Sequence, residues 1–184
     1  MCYNDIMSEH MKILYYPDEI LKTPSNYVTN IDEDIKNLIS AMTETMKYER
    51  GIGLAAPQVG HLLRVIVLMN QDMDEYPSII ELINPEITQA SDEVGLTKEG
   101  CLSMPGINGT VKRPLEVTVS GLNAKGEEIE INAKGILATC LQHEIDHLDG
   151  VMFIDRMSNV KKNMMMAKYN SGSKKRNQRS QGRG

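Results

Sequence analysis

The segment from Ile136 to Leu148 constrains the fold of this 184-residue chain more than any other stretch. Its apolar positions are Ile136, Leu137, Cys140, Leu141, Ile145 and Leu148. They cover most of the circumference of a helix, and a helix that is apolar nearly all round is buried. The same segment carries His143, Glu144 and His147. Polar groups on a buried helix are costly unless partners satisfy them, so the segment predicts a buried helix that carries a site.

The spacing of these polar residues, H-E-x-x-H, predicts a metal site. Residues four apart lie on one face of a helix, so His143 and His147 can bind one ion together. Glu144 then lies about a quarter-turn away, where a carboxylate can act as the general base of metal-assisted hydrolysis. The alternative is a pair of ordinary core histidines, which the intervening glutamate and the buried helix disfavour.

A third ligand is expected from a cysteine. Cys101 lies between Gly100 and Pro105, which predicts a rigid extended loop, and a thiolate with two imidazoles suits Zn(II) or Fe(II) while leaving a position open for water. Cys140 is the alternative ligand, although its sulfur fits better as part of a pocket wall. The other histidines, His10 and His61, are predicted to be surface residues.

The segment 51–58, Gly-Ile-Gly-Leu-Ala-Ala-Pro-Gln, is the third unusual stretch. Its two glycines allow close backbone approach, and Gln58 offers an amide donor. The simpler interpretation is a loop that ends a helix. A phosphate-binding loop is disfavoured because no Lys-Ser/Thr pair follows.

The remaining pattern predicts an α+β fold with mixed or antiparallel strands packed around the buried C-terminal helix. Residues 31–50 have helical spacing, and a short helix is expected near Ser158. Strands are expected at residues 64–69, 79–83, 85–88, 115–122 and 127–131, the last two as a hairpin around the turn 123–126.

Charge and composition divide the chain into three regions. Residues 1–10 are an N-terminal extension, residues 11–160 a catalytic domain, and residues 161–184 a basic tail that is expected to be disordered from residue 171. From Val160 onward there are eight Lys or Arg and no acidic residue, which indicates contact with a polyanion. Three cysteines without paired spacing indicate reduced thiols. No signal peptide or apolar run of about 18 residues is present, so a cytoplasmic protein without membrane or DNA partners is expected.

Segments 51–58, 99–103 and 142–147 occur in the order of the three signature motifs of peptide deformylases, and each resembles one of them. The similarity begins at Met11-Lys-Ile-Leu-Tyr-Tyr-Pro-Asp and continues through Val111-Lys-Arg-Pro114 to His147-Leu-Asp-Gly-Val-Met-Phe153. It therefore covers nearly the whole body of the chain. The resemblance implies removal of the N-formyl group from the N-terminal methionine of new polypeptides, with release of formate.

The resemblance also implies a set of site residues. Cys101, His143 and His147 would bind one divalent ion, Fe(II) in vivo and Zn(II) or Ni(II) in purified protein. Glu144 would serve as the general base and acid, while the Gln58 amide and the Leu102 backbone N–H would stabilise the oxyanion. The expected substrate-binding residues are Ile52, Gly53, Glu99, Ile136, Thr139 and Cys140. The tail would contact the ribosome or only increase solubility, and the segment 106–110 departs from the family because it lacks a basic residue.

Two rival interpretations stay open from the sequence. A metalloprotease with the same H-E-x-x-H helix would take His or Glu as its third ligand. A structural zinc module would need a fourth protein ligand and no open position.

Overall fold

The structure, a computed structural model, describes residues 10–70 and 76–181, with side chains described up to residue 172. Almost all of the N-terminal extension therefore lies outside the described residues, as do residues 182–184. The helices are α1 (Glu33–Tyr48), α2 (Gly135–Leu148) and α3 (Asn159–Gln181). The strands are β1 (Gly53–Ala55), β2 (Val65–Met69), β3 (Ile79–Ala90), β4 (Val94–Gly100), β5 (Asn108–Pro114), β6 (Glu116–Leu122) and β7 (Glu128–Lys134).

A five-stranded antiparallel sheet with the order β1-β2-β3-β6-β7 lies between the first two helices. Along β2, Val65 and Val67 pack with α1, whereas Ile66 and Leu68 pack with α2. Because both faces of this strand are covered, it is an uninterrupted apolar run rather than an alternating one. The α+β fold and the predicted hairpin, which joins β6 to β7, are confirmed.

Helix α1 follows its sequence signals closely. Asp32 caps the first turn by accepting a hydrogen bond from the Ile35 N–H, and acidic residues follow it, as the helix dipole favours. The helix ends at Tyr48, and Arg50 then adopts a left-handed conformation with φ of 56°. The Gly51 N–H donates to the Met46 carbonyl and closes the helix end.

Helix α2 is buried as predicted, with every residue from Cys140 to Leu148 inaccessible or nearly so. It packs across the face of the sheet that carries Val117, Val119 and Ile131. Its first turn is less buried: Ile136 is exposed, and Leu137 and Thr139 are half-buried. Gly150 ends the helix region with φ of 72°, and the Lys22 carbonyl approaches it closely.

A second sheet, formed by β4 and β5 alone, was not predicted. Strand β4 contains two glycines and charged residues, and such sequences have weak strand preference. The strand ends at Gly100, so Cys101 begins a turn immediately after it instead of lying in a longer extended loop. The end of this sheet therefore places Cys101 next to α2.

Two further expectations require correction. The start of the segment 51–58 is not only a turn, because Gly53–Ala55 forms β1 against β2 and residues 56–59 form a 3-10 turn. Likewise, the helix near Ser158 is not short, since α3 continues to Gln181 through residues that were expected to be disordered. Lys, Arg, Gln and Met favour helices, and no proline interrupts this stretch. Within the described ranges, no helix is long and apolar enough to cross a membrane.

The close approach at Gly150 leads to a stability prediction. A Cβ on residue 150 would lie 2.5 Å from the Lys22 carbonyl oxygen, in addition to the strain of a positive φ. We expect Gly150→Ala to lower the free energy of unfolding by about 2–5 kcal/mol in a urea titration. Gly60→Ala is the matched control, because residue 60 has φ of 88° and meets no atom closer than 3.9 Å. Gly60→Ala should lower the free energy of unfolding by about 1–2 kcal/mol. Equal losses of stability in the two variants would refute the steric explanation.

Candidate metal centre

Two elements bring together three side chains that could hold a metal ion. Helix α2 carries His143 and His147, and the turn after β4 carries Cys101. One ligand atom from each lies within 4.8 Å of the others, and Cys101 Sγ is 3.2 Å from His147 Nε2. Ligands at about 2.0–2.3 Å from a shared ion have separations of this order, so the three donors fit one tetrahedral ion with an open position. Cys140 lies outside this group, and its thiol is 3.4 Å from the Ile52 carbonyl.

Glu99 orients one of these imidazoles. Its Oε2 is 2.8 Å from His143 Nδ1, which leaves the Nε2 atom of that ring for the ion. Such a carboxylate contact sets the tautomer of a metal-binding histidine. Glu99 lines the pocket, as expected of a substrate-binding residue, but its carboxylate is bonded to protein groups.

Arg113 connects the carboxylate to the helix. It donates to both oxygens of Glu99, at 2.8 and 3.0 Å, and to Asp146 Oδ2 at 2.6 Å. Asp146 also accepts two hydrogen bonds from Arg156. Burial alone would raise the pKa of Glu99, but hydrogen bonds from Arg113 and His143 outweigh it and lower that pKa to about 2.

Glu144 lies beside the three donors and differs from Glu99 in its surroundings. It is buried, and its Oε2 atom has no hydrogen-bond partner among the described residues. Burial raises its pKa to about 7, so the carboxylate can both accept and release a proton near neutral pH. A Cβ on Gly53 would overlap Glu144 Oε1, which explains why the facing strand needs glycine here.

The Gln58 side chain is held in a single orientation. Its Oε1 accepts a hydrogen bond of 2.8 Å from the Ala55 N–H, which turns the amide NH₂ group the other way. That group lies 3.5 Å from Cys101 Sγ and 3.2 Å from Ser103 Oγ. The donor predicted from the sequence therefore faces the site.

These groups open into a cavity of about 350 Å³. The residues expected to bind substrate all line it: Ile52, Gly53, Glu99, Ile136, Thr139 and Cys140. Gln58, Leu102, Cys101, His143 and Glu144 line it as well. The predicted surface histidines, His10 and His61, are exposed and take no part, and His10 stacks on Tyr48.

Sequence reasoning missed the structural role of Arg113 and Asp146. A signal was present, because Val111 and Arg113 share one face of a strand and Val111 is a typical core residue. An arginine on that face has to find buried acidic partners.

A thiolate and two imidazoles beside an unpaired buried carboxylate are typical of metal-dependent hydrolases. Comparison with known proteins gives a consistent result. Residues 10–163 match the family model described as polypeptide deformylase. A peptide deformylase from Thermodesulfovibrio yellowstonii is 48% identical over 159 residues, covering 86% of this chain and 96% of that protein. One from Natranaerobius thermophilus is 52% identical over 149 residues, covering 81% and 93%.

Solved structures show the same fold. The crystal structure of a peptide deformylase from Legionella pneumophila superposes with a TM-score of 0.83 at 41% identity, covering 95% of this chain and 98% of that one. The chain therefore belongs to the polypeptide deformylase family. It is a metal-dependent hydrolase that removes the N-formyl group from nascent peptides.

The contact between Glu99 and His143 predicts an effect on metal affinity. Glu99→Gln removes the negative charge and replaces one acceptor oxygen by an NH₂ donor, so Arg113 and His143 can no longer both be satisfied, and we expect zinc affinity to fall about 10–100-fold. Competition with a chromophoric chelator measures this directly. Glu93→Gln, at an exposed position before β4, should leave the affinity unchanged. Equal affinities in the two variants would show that Glu99 does not support the ligand.

Proposed function

We propose that Cys101, His143 and His147 hold the ion on which this hydrolase depends, and that Glu144 carries the protons of the reaction. The observation that carries the proposal is the meeting of the three donors beside a buried carboxylate oxygen that has no partner among the described residues. Iron(II) is the ion proposed in vivo, and Zn(II) or Ni(II) would occupy the same donors in purified protein, since thiolate and imidazole suit all three. When bound, the ion supplies Lewis-acid activation of water and of the formyl carbonyl.

Glu144 accepts a proton from the attacking water and delivers it to the departing amine as the C–N bond breaks. A pKa of about 7 suits both halves of this transfer, because a catalytic group works best when its pKa is near the working pH. The hydrolysis consumes one water and yields formate and a free amino terminus. Glu99, the other buried acid that lines the cavity, does not fit this role, because its carboxylate is bonded to Arg113 and His143.

The oxygen of the formyl group gains negative charge as water adds to its carbon. We assign its stabilisation to the Gln58 NH₂ group and to the backbone N–H of Leu102, which follows Cys101 in the same turn. The Ala55–Gln58 hydrogen bond holds the amide in place before the reaction begins. Preorganised donors of this kind are worth about 2.7–4 kcal/mol each in the barrier.

The methionine side chain would lie between the start of α2 and the segment before β1. Ile136, Thr139 and Cys140 form one wall, with Ile52 and Gly53 opposite. Thr139 Oγ1 donates to the Gly135 carbonyl, so its hydroxyl hydrogen already has a partner in the helix. The thiol of Cys140 is turned toward the Ile52 carbonyl. These contacts leave an apolar slot of the kind that an unbranched thioether fills.

A kinetic experiment tests these assignments. We expect the metal-loaded protein, prepared without oxygen, to release formate from formyl-Met-Ala-Ser but no acetate from acetyl-Met-Ala-Ser. Glu144→Gln should lower kcat/KM about 10²–10⁴-fold with unchanged metal content, because proton transfer is abolished while the ligands remain. Glu128→Gln, at an exposed position on β7, is the control.

Each rival interpretation has its own signature in this experiment. Cleavage of internal peptide bonds would indicate the metalloprotease. A fully coordinated ion with no turnover would indicate the structural zinc module. Full activity in Glu144→Gln would overturn the proposed proton path.

We further propose that the protein acts in the cytoplasm and that the basic tail contacts the ribosome. Support comes from the charge of α3, which carries basic residues and no acidic ones. Phosphate contacts of this kind are electrostatic and weaken as salt rises. A tail that only increases solubility would show no such binding.

The tail proposal is tested by co-sedimentation with ribosomes over a range of salt concentrations. The test variant replaces Lys174, Lys175 and Arg176 with Gln, and the control replaces Lys12, Lys112 and Lys125 with Gln. We expect only the test variant to bind less tightly and with a smaller salt slope, by roughly 0.7–0.9 for each phosphate that the tail no longer neutralises. Indistinguishable slopes for the two variants would contradict ribosome docking through this segment.

A further inference from the structure

Two cationic side chains stand at the mouth of the cavity. Arg50 follows α1 and Lys98 lies near the end of β4, and both line the cavity and are exposed. Neither forms an ion pair with another residue in the described part of the chain. Their charges are therefore available to a ligand.

The acidic residues of the cavity do not cancel this charge. Glu99 and Glu144 are the two acidic side chains that line it, and both are buried. Glu99 is already paired with Arg113. The exposed part of the cavity wall, as far as the described residues form it, consequently carries positive charge without an exposed negative group.

Lys98 also lies at the boundary between the cavity and a neighbouring groove. This groove of about 280 Å³ shares Lys98, Ile136 and Thr139 with the cavity and continues toward Leu115. An extended chain advances about 3.3–3.6 Å per residue. Ile136 and Thr139 belong both to the apolar slot and to this groove, so the residues that follow a methionine in the slot can lie beside Lys98.

The backbone at Arg50 has an unusual conformation for an arginine. Its φ of 56° is a conformation that favours glycine. The one other described non-glycine residue with positive φ is Asn84, a residue type that tolerates it well. At residue 50 this conformation ends α1, where glycine is usual, and the arginine found there places a long cation beside the cavity.

We propose that Arg50 and Lys98 select nascent chains that carry Asp or Glu among the first residues after the formylmethionine. This inference rests on the proposed function, because it takes methionine in the slot as its starting point. The selection acts on the side chain of the following residues, whereas the slot recognises methionine itself. The attraction is between exposed charges, so it is modest and is screened by salt.

The test compares formyl-Met-Asp-Ser, formyl-Met-Lys-Ser and formyl-Met-Ala-Ser on the metal-loaded full chain. The measured quantity is the kcat/KM ratio of the Asp peptide to the Lys peptide. We expect a ratio above one that Lys98→Gln and Arg50→Gly each lower by about twofold to fivefold. Lys98→Glu should lower it further, and a salt concentration of about 0.5 M should bring the wild-type ratio toward one. Glycine is chosen at residue 50 because it removes the charge and accommodates the positive φ.

Lys112→Gln is the matched control, since this lysine is exposed on β5 and does not line the cavity. Its ratio should equal that of the wild type. A wild-type ratio of one at low salt, or an equal change in the control, would overturn the charge selection while leaving deformylation intact. If none of the three peptides is hydrolysed, the proposed function is overturned, and the charge selection with it.

Discussion

The site depends on the buried guanidinium of Arg113, which bonds to Glu99 at the end of one sheet and to Asp146 on the helix that crosses the other. Burying either carboxylate alone would carry a large desolvation penalty. The shared guanidinium of Arg113 offsets that penalty for both Glu99 and Asp146. The consequence is mechanical as well as electrostatic. Because Glu99 in turn contacts His143, Arg113 on β5 is linked through this carboxylate to an imidazole on α2, and such a contact fixes the orientation of a ring.

Close backbone approach is the second condition for the site. Gly53 has no Cβ, so β1 can lie against Glu144 and Cys140 on α2. The same short strand leads into the turn that holds Gln58, whose amide is fixed by the Ala55 N–H. Glu144, Gln58 and the apolar residues beside Cys140 therefore line a single cavity, and the function proposed above needs no large rearrangement of these groups.

Two glutamates in one cavity differ in role because their surroundings differ. Glu99 receives hydrogen bonds from a guanidinium and an imidazole and stays ionised, with its pKa lowered to about 2. Glu144 is buried without such donors, and its pKa is raised to about 7. The first suits a supporting contact and the second suits proton transfer. Family membership identifies the reaction, and this contrast in pKa supports the different roles proposed for the two glutamates.

The H-E-x-x-H spacing, the apolar helix around it and the strand patterns of residues 64–69 and 115–131 were sufficient to predict the α+β fold and the two histidines on one face of a buried helix, because helical and strand periodicities are local properties. The three motifs in order added the family resemblance and named Cys101, Gln58 and Leu102. Local patterns could not show that Arg113 joins Glu99 to Asp146, or that Arg50 and Lys98 share a cavity mouth. Those relations connect residues far apart in the chain, and only the packing of the two sheets against α2 decides which of them meet.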